Sequence, residues 1–134
     1  MGAGRTPLRW AFVNRDPALE PDLLHSYVDA WRRHDVEAVL ETLADDCEVV
    51  EPHGPVYRGK DQVSEWMRNW VVAGGRITQW RITDSGSAGD LLVAEWERTC
   101  RWRGTETSFA GATICRLLGG RISYLREYGH LPAP

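Results

Sequence analysis

The spacing of apolar positions changes once along the chain. From Leu23 to Val72 they recur every three or four residues, and beyond Gly74-Gly75 they alternate. Leu23, Leu24, Tyr27, Val28 and Trp31 predict a helix with Pro21 in its first turn and its end near His34. Asp35 then caps a second, shorter helix carrying Val36, Val39, Leu40 and Leu43. Residues 47–51 read as a strand stopped by Pro52, with His53-Gly54-Pro55 as a turn and Val56-Tyr57 as a brief return. A third helix over 60–73 presents Val63, Trp66, Met67 and Trp70 on one face. After it, strands are predicted over 77–83, 91–103, 107–117 and 121–128, with a flexible turn at 85–90 and a tight one at Gly119-Gly120.

Three helices followed by a meander of strands predict an α+β fold. The helices pack in a strongly curved, mainly antiparallel sheet, forming a cone with an internal cavity where function would sit. The domain is expected to run over 20–131. Residues 1–19 form an N-terminal arm whose apolar patch, Trp10-Ala11-Phe12-Val13, is suited to docking on a neighbour.

Composition narrows the classes. The chain has 134 residues, 43% hydrophobic and 26% charged, a balance that excludes collagen-like and wholly disordered chains. Sixteen basic against 19 acidic residues leave a net charge of −3, with no electrostatic footprint for nucleic acid. No apolar run approaches the length of a membrane helix. The opening residues lack the apolar stretch of a signal peptide, so a cytoplasmic location is expected. Cys47, Cys100 and Cys115 have no zinc-site spacing and are expected as reduced, buried thiols. No metal or nucleotide motif is present, and no cofactor is expected. Seven tryptophans are the unusual feature, and they point to an aromatic-lined cavity, a sizeable interface, or both.

Strand alternation groups Ala94, Trp96, Arg98, Cys100 and Trp102 on one face, Phe109, Gly111 and Thr113 on another, and Ser123, Leu125 and Glu127 on a third. If these faces look into the cone, Arg98 and Glu127 point inward. A carboxylate among apolar walls has its pKa raised toward the range that suits a general base, while an arginine beside one carboxylate holds it ionised. Arg98 and Glu127 read equally as a structural ion pair between strands, and Tyr27 as a helix core residue. His53 is either a proton relay or a solvated turn residue. His25, His34 and His130 read as surface or terminal. Trp66 and Trp70 are expected in the core, Trp31 and Trp96 as walls stacking on a flat ligand, and Trp80 and Trp102 on the outer sheet face.

The runs Tyr27-Val28-Asp29-Ala30-Trp31, His34-Asp35-Val36-Glu37-Ala38-Val39 and Glu48-Val49-Val50-Glu51-Pro52-His53-Gly54, with Tyr57-Arg58-Gly59-Lys60 and the ending Gly120-Arg121-Ile122-Ser123-Tyr124-Leu125-Arg126-Glu127-Tyr128, resemble the SnoaL-like and ketosteroid-isomerase-like branch of the nuclear-transport-factor-2-like superfamily. The resemblance covers about residues 20–130. It implies Glu51 as the carboxylate base and Tyr27 as the oxyanion donor, and sets Thr113 where the isomerases carry a second, acidic donor. The limonene-epoxide-hydrolase-like members offer another match, with Arg126-Glu127-Tyr128 supplying one acid of an incomplete Asp-Arg-Asp cluster.

Taken together, a small cofactor-free enzyme is expected, binding a hydrophobic cyclic compound and moving protons, as an isomerase or polyketide-cyclase-like catalyst. Its catalytic candidates are Glu51, Tyr27, Glu127 and Arg98; its ligand-contacting candidates are Trp31, Trp96, Phe109, Thr113 and His53. Epoxide hydrolysis by Glu127, Glu51 and Arg98 is one alternative, and a non-catalytic ligand-binding or dimerisation module is another. The expected partners are a small hydrophobic molecule and a second copy held through the sheet face, with neither nucleic acid nor membrane.

Overall fold

The computed structural model describes residues 22–130. The arm over 1–19, the placement of Pro21 and the side chain of His130 lie outside them. Helix α1, Leu23–Arg32, starts at Asp22, whose side chain accepts the His25 backbone N–H at 2.9 Å. That bond satisfies one of the amides a helix start leaves open. Asp35 caps α2, Val36–Glu41, in the same way through the Ala38 N–H at 3.0 Å. Leu43 belongs to the following strand rather than to this helix. Strands β1, Leu43–Val50, and β2, Val56–Arg58, form a short hairpin, and α3, Gly59–Val72, follows directly. The rest is β3, Gly75–Ala88; β4, Leu91–Trp102; β5, Thr105–Leu118; and β6, Arg121–His130.

The six strands form one sheet in the order β2-β1-β6-β5-β4-β3, antiparallel except where β1 runs parallel to β6. The fold is thus α+β, with helices held against a curved, open sheet. The segment expected as a flexible turn at 85–90 is strand as far as Ala88, paired with β4 down to Leu91. Two register shifts in β3, between Ile77 and Gln79 and between Ile82 and Asp84, bend that edge around the helices. Leu24 and Val28 of α1, Val63 and Met67 of α3, and Leu92, Cys115, Ile122 and Leu125 of the sheet close one end of the cone. Each such side chain contributes roughly 1.5–3 kcal/mol by leaving water. The aromatic residues occupy the other end, where the packing leaves a cavity.

His34 ties helix to sheet. It sits at φ +56°, and its Nε2 accepts the Ile77 backbone N–H at 2.9 Å. A residue expected at the surface is therefore a joint between α1 and β3. Burial, then the nearby Arg76, holds its pKa below the usual histidine value, which keeps Nε2 free to accept.

Candidate active site

A cavity of about 240 Å³ lies between α1, α3 and the concave face of the sheet. Its walls are mostly aromatic: Tyr27 and Trp31 from α1, Trp66 and Trp70 from α3, and Trp80, Trp102 and Phe109 from the sheet. Three ionisable side chains interrupt them, Glu51, Arg98 and Glu127, and Cys100 adds a thiol. The grouping of Arg98 and Glu127 with Glu51 and Tyr27, conditional in the sequence, is what the fold produces.

Arg98 and Glu127 meet as a fork. Nη1 and Nη2 of Arg98 donate to Oε2 and Oε1 of Glu127, each at 3.1 Å. The guanidinium carbon lies 4.5 Å from the Trp80 ring centre, 4.4 Å from that of Trp96 and 4.9 Å from that of Phe109. Electron-rich ring faces replace part of the hydration a buried cation loses. Burial alone would pull the Arg98 guanidinium down, but the charge and hydrogen bonds of Glu127 more than offset it and hold its pKa above the usual arginine value. The pair presents no net charge to the cavity.

Glu51 differs from Glu127. It follows the last residue of β1, and its backbone N–H donates to the Pro55 carbonyl at 2.9 Å, closing the turn. Its Oε2 accepts the Tyr57 hydroxyl at 2.8 Å, and Oε1 has no hydrogen bond among the described residues. Burial raises its pKa above the ordinary glutamate value; the Tyr57 hydrogen bond opposes, the charge of Glu127 adds, and Arg98 and His53 pull back. This is the direction a base working near neutrality needs.

Tyr27 is 1% exposed, and its hydroxyl makes no well-aligned hydrogen bond among the described residues. Burial, then the charge of Glu127, pushes its pKa well up, while the Trp31 indole and Arg98 draw it slightly back. It therefore stays a neutral O–H donor. Trp31 Nε1, Trp80 Nε1 and Arg98 Nε are buried without a hydrogen-bond partner among the described residues, although Trp31 lies beside the Tyr27 ring at 6.4 Å between centroids.

Several expected positions move. Trp96 and Thr113 stand behind the wall: the indole N–H of Trp96 donates to Thr113 Oγ1 at 2.8 Å, both residues are 1% exposed, and neither lines the cavity. Gly111 permits this, because a Cβ there would lie 2.6 Å from the Trp96 ring. His53 is exposed in the turn and lines no cavity wall. Trp80, expected outside, is 3% exposed and faces inward, because the bulge after Ile77 inserts a residue and reverses the alternation. Trp102 sits on the same inner side, 41% exposed, at the rim. Trp66 and Trp70 are cavity walls rather than core. Tyr57, which sequence reasoning left without a role, stacks on Trp66 at 4.2 Å and 7°. Cys47 and Cys115 are buried free thiols, and Cys100 is only partly buried. Among the described residues no cluster of His, Cys, Asp and Glu could hold a metal ion, and no helix is long and apolar enough to cross a membrane.

A family model for the SnoaL-like domain matches residues 24–125. No curated protein matches the chain in sequence. Among solved structures, a protein with a ketosteroid-isomerase-like fold from Catenulispora acidiphila, in complex with trimethylamine, superposes with a TM-score of 0.73 at 23% identity, covering 82% of this chain and 86% of that one. An LEH-like epoxide hydrolase from M. tuberculosis gives 0.72 at 18% identity, with 81% and 80% covered. A candidate polyketide cyclase from Xanthomonas campestris gives 0.67 at 19% identity, with 79% and 86% covered. At these identities the likeness establishes the fold, and chemistry has to be argued from side chains.

Proposed function

This chain belongs to the SnoaL-like domain family, and on that premise we propose that it is a cofactor-free proton-transfer enzyme acting on a small cyclic carbonyl compound. One observation carries the reading: Glu51, whose Oε1 has no hydrogen bond among the described residues, and Tyr27, whose O–H has no acceptor among them, line the same aromatic cavity. An enolising ketone needs that pair, an acceptor for the α-proton and a donor for the oxygen that becomes negative. Oε1 of Glu51 takes the proton while the Tyr27 hydroxyl donates to the enolate oxygen. Returning the proton to the same carbon gives exchange, and returning it to a conjugated carbon gives isomerisation. Flat tryptophan faces hold the ring and exclude water. At about 240 Å³ the cavity has the volume of about eight water molecules at ~30 Å³ each, which suits one or two fused rings.

The fork of Arg98 and Glu127 favours a scaffold role over the epoxide-hydrolysis alternative, since each Glu127 oxygen already accepts from the guanidinium and keeps only its second lone pair for a water. We assign that pair to the wall, where it fixes the floor beneath the ring. A second reading draws on the trimethylamine bound by the Catenulispora protein. Tryptophan walls with one carboxylate lacking a bidentate cation also fit a small alkylammonium ion, by attraction to the ring faces. Pairing of two chains through the outer sheet face, where Tyr128 is 47% exposed, belongs to the same proposal.

The test is a panel followed by tryptophan fluorescence and by proton NMR in deuterium oxide: tetralones, cyclohexenones, a cyclic epoxide and trimethylammonium. The reading expects saturable quenching by the ketones with catalysed loss of their α-proton signals. Saturation by trimethylammonium alone, without exchange of any ketone, favours the cation site.

A further inference from the structure

Tyr57 lies outside the cavity wall, yet its hydroxyl reaches the one carboxylate there that has no bidentate partner. We infer that Tyr57 is the positioning residue of the site: it holds Oε2 of Glu51 and so leaves Oε1 as the single oxygen that exchanges a proton with the ligand. The inference deepens the proton-transfer reading of Glu51 and rests on it.

The hairpin sets the geometry. Val49 pairs with Tyr57 and Val50 with Val56. Side chains two apart share a face, so Tyr57 is the diagonal cross-strand neighbour of Glu51 on one face, a separation long side chains span. The turn is closed by the Glu51 N–H to the Pro55 carbonyl and by the Gly54 N–H to the Glu51 carbonyl at 3.1 Å. Neither side chain's root can shift independently of the other. The phenol ring is fixed in turn by its near-parallel stack on Trp66, which itself packs on Trp31 at 4.9 Å. The line from cavity wall to ring stack to hydroxyl to carboxylate is therefore continuous.

The hydrogen bond also sets when Glu51 is charged. Donation to a carboxylate favours the ionised form. Around Glu51, Glu127 on β6 opposes ionisation, while Arg98 on β4, His53 in the turn and Tyr57 on β2 favour it. Of these, Tyr57 alone hydrogen-bonds Glu51 directly among the described residues. Its own pKa is pushed up by burial and by Glu51, so it remains a donor and does not compete as a base. Losing the hydroxyl would leave burial less opposed, and would free the carboxylate to present either oxygen.

The experiment uses Tyr57→Phe, which keeps the ring on Trp66, and the replacement of Tyr57 by 3-fluorotyrosine, a stronger donor of the same shape. Protein carrying carbon-13 in glutamate carboxyls is titrated by NMR, with the Glu51 signal assigned by its loss in Glu51→Gln. Deuterium exchange into 2-tetralone is measured on the same proteins across pH. The Glu51 midpoint is expected to rise in Tyr57→Phe and to fall with 3-fluorotyrosine. On the acid side of the profile kcat/KM should drop about tenfold in Tyr57→Phe, with a much smaller change on the alkaline plateau. Should Tyr57→Phe not fold, the fluorotyrosine protein decides, and an unmoved midpoint there overturns the role. A wild type that exchanges 2-tetralone, with midpoint and profile unmoved in Tyr57→Phe, overturns the role of Tyr57 alone. A wild type that exchanges no ketone overturns the proton-transfer reading and this inference with it.

Discussion

Arg98 and Glu127 close on each other through two parallel hydrogen bonds of 3.1 Å, with side chains 11% and 9% exposed and three aromatic rings around the guanidinium. The two residues come from β4 and β6, with β5 between them, so the pair spans three strands at the floor of the cavity. Removing one partner leaves the other charge buried and uncompensated.

Arg98→Met should therefore cost about 3–5 kcal/mol in urea unfolding at neutral pH. Combining it with Glu127→Leu should recover most of that loss, since neither change then strands a charge. A single variant of near wild-type stability would mean that the pair is not part of the scaffold.

Glu51→Gln should behave in the opposite sense. The folded-state pKa of Glu51 is raised, mainly by burial, so the native state holds that proton more tightly than the unfolded chain does. Its charge then costs stability at pH values above the folded pKa, and the cost fades as pH falls toward the unfolded value. The variant keeps an oxygen for the Tyr57 hydroxyl. It should be more stable than wild type at neutral pH, with the advantage gone in acid. Thermal unfolding of both proteins across pH checks this, and a loss of several kcal/mol would mark Glu51 as a structural carboxylate.

Thr113→Val is a test of the wall rather than of the chemistry. It leaves the buried Trp96 indole N–H without its acceptor, at a cost of about 1–3 kcal/mol. Thr113→Ser should restore the bond and most of the stability. Saturation by ketones in the fluorescence titration should survive both changes, and its loss would bring Thr113 back to the ligand.

What was legible in the chain follows from the physics each element obeys. Tyr27 and Glu51 were legible through the resemblance of their segments to the ketosteroid-isomerase-like motifs, and a capped amphipathic helix and a strand stopped by Pro52 leave those segments little freedom of placement. The inward face of β4 obeys simple alternation through Arg98 and Cys100 to Trp102. Simple alternation sets Trp80 outside because it misses the residue inserted after Ile77, which reverses the faces until the second shift after Ile82, and nothing in the local sequence announces a bulge without glycine. Thr113 and Trp96 satisfy each other across two strands, a pairing that depends on register. Tyr57 offered a signal, an aromatic hydroxyl across a tight hairpin from a carboxylate, but only once Val49 and Tyr57 are known to pair.

Glu51 as a base is tested most directly by deuterium exchange at the benzylic α-position of 2-tetralone, followed by proton NMR for wild type and Glu51→Gln. Wild type should exchange well above the buffer rate, with activity rising as Glu51 ionises, and the variant should lose about a hundredfold or more. A wild type no faster than buffer, or a Glu51→Gln protein as fast as wild type, would contradict the account.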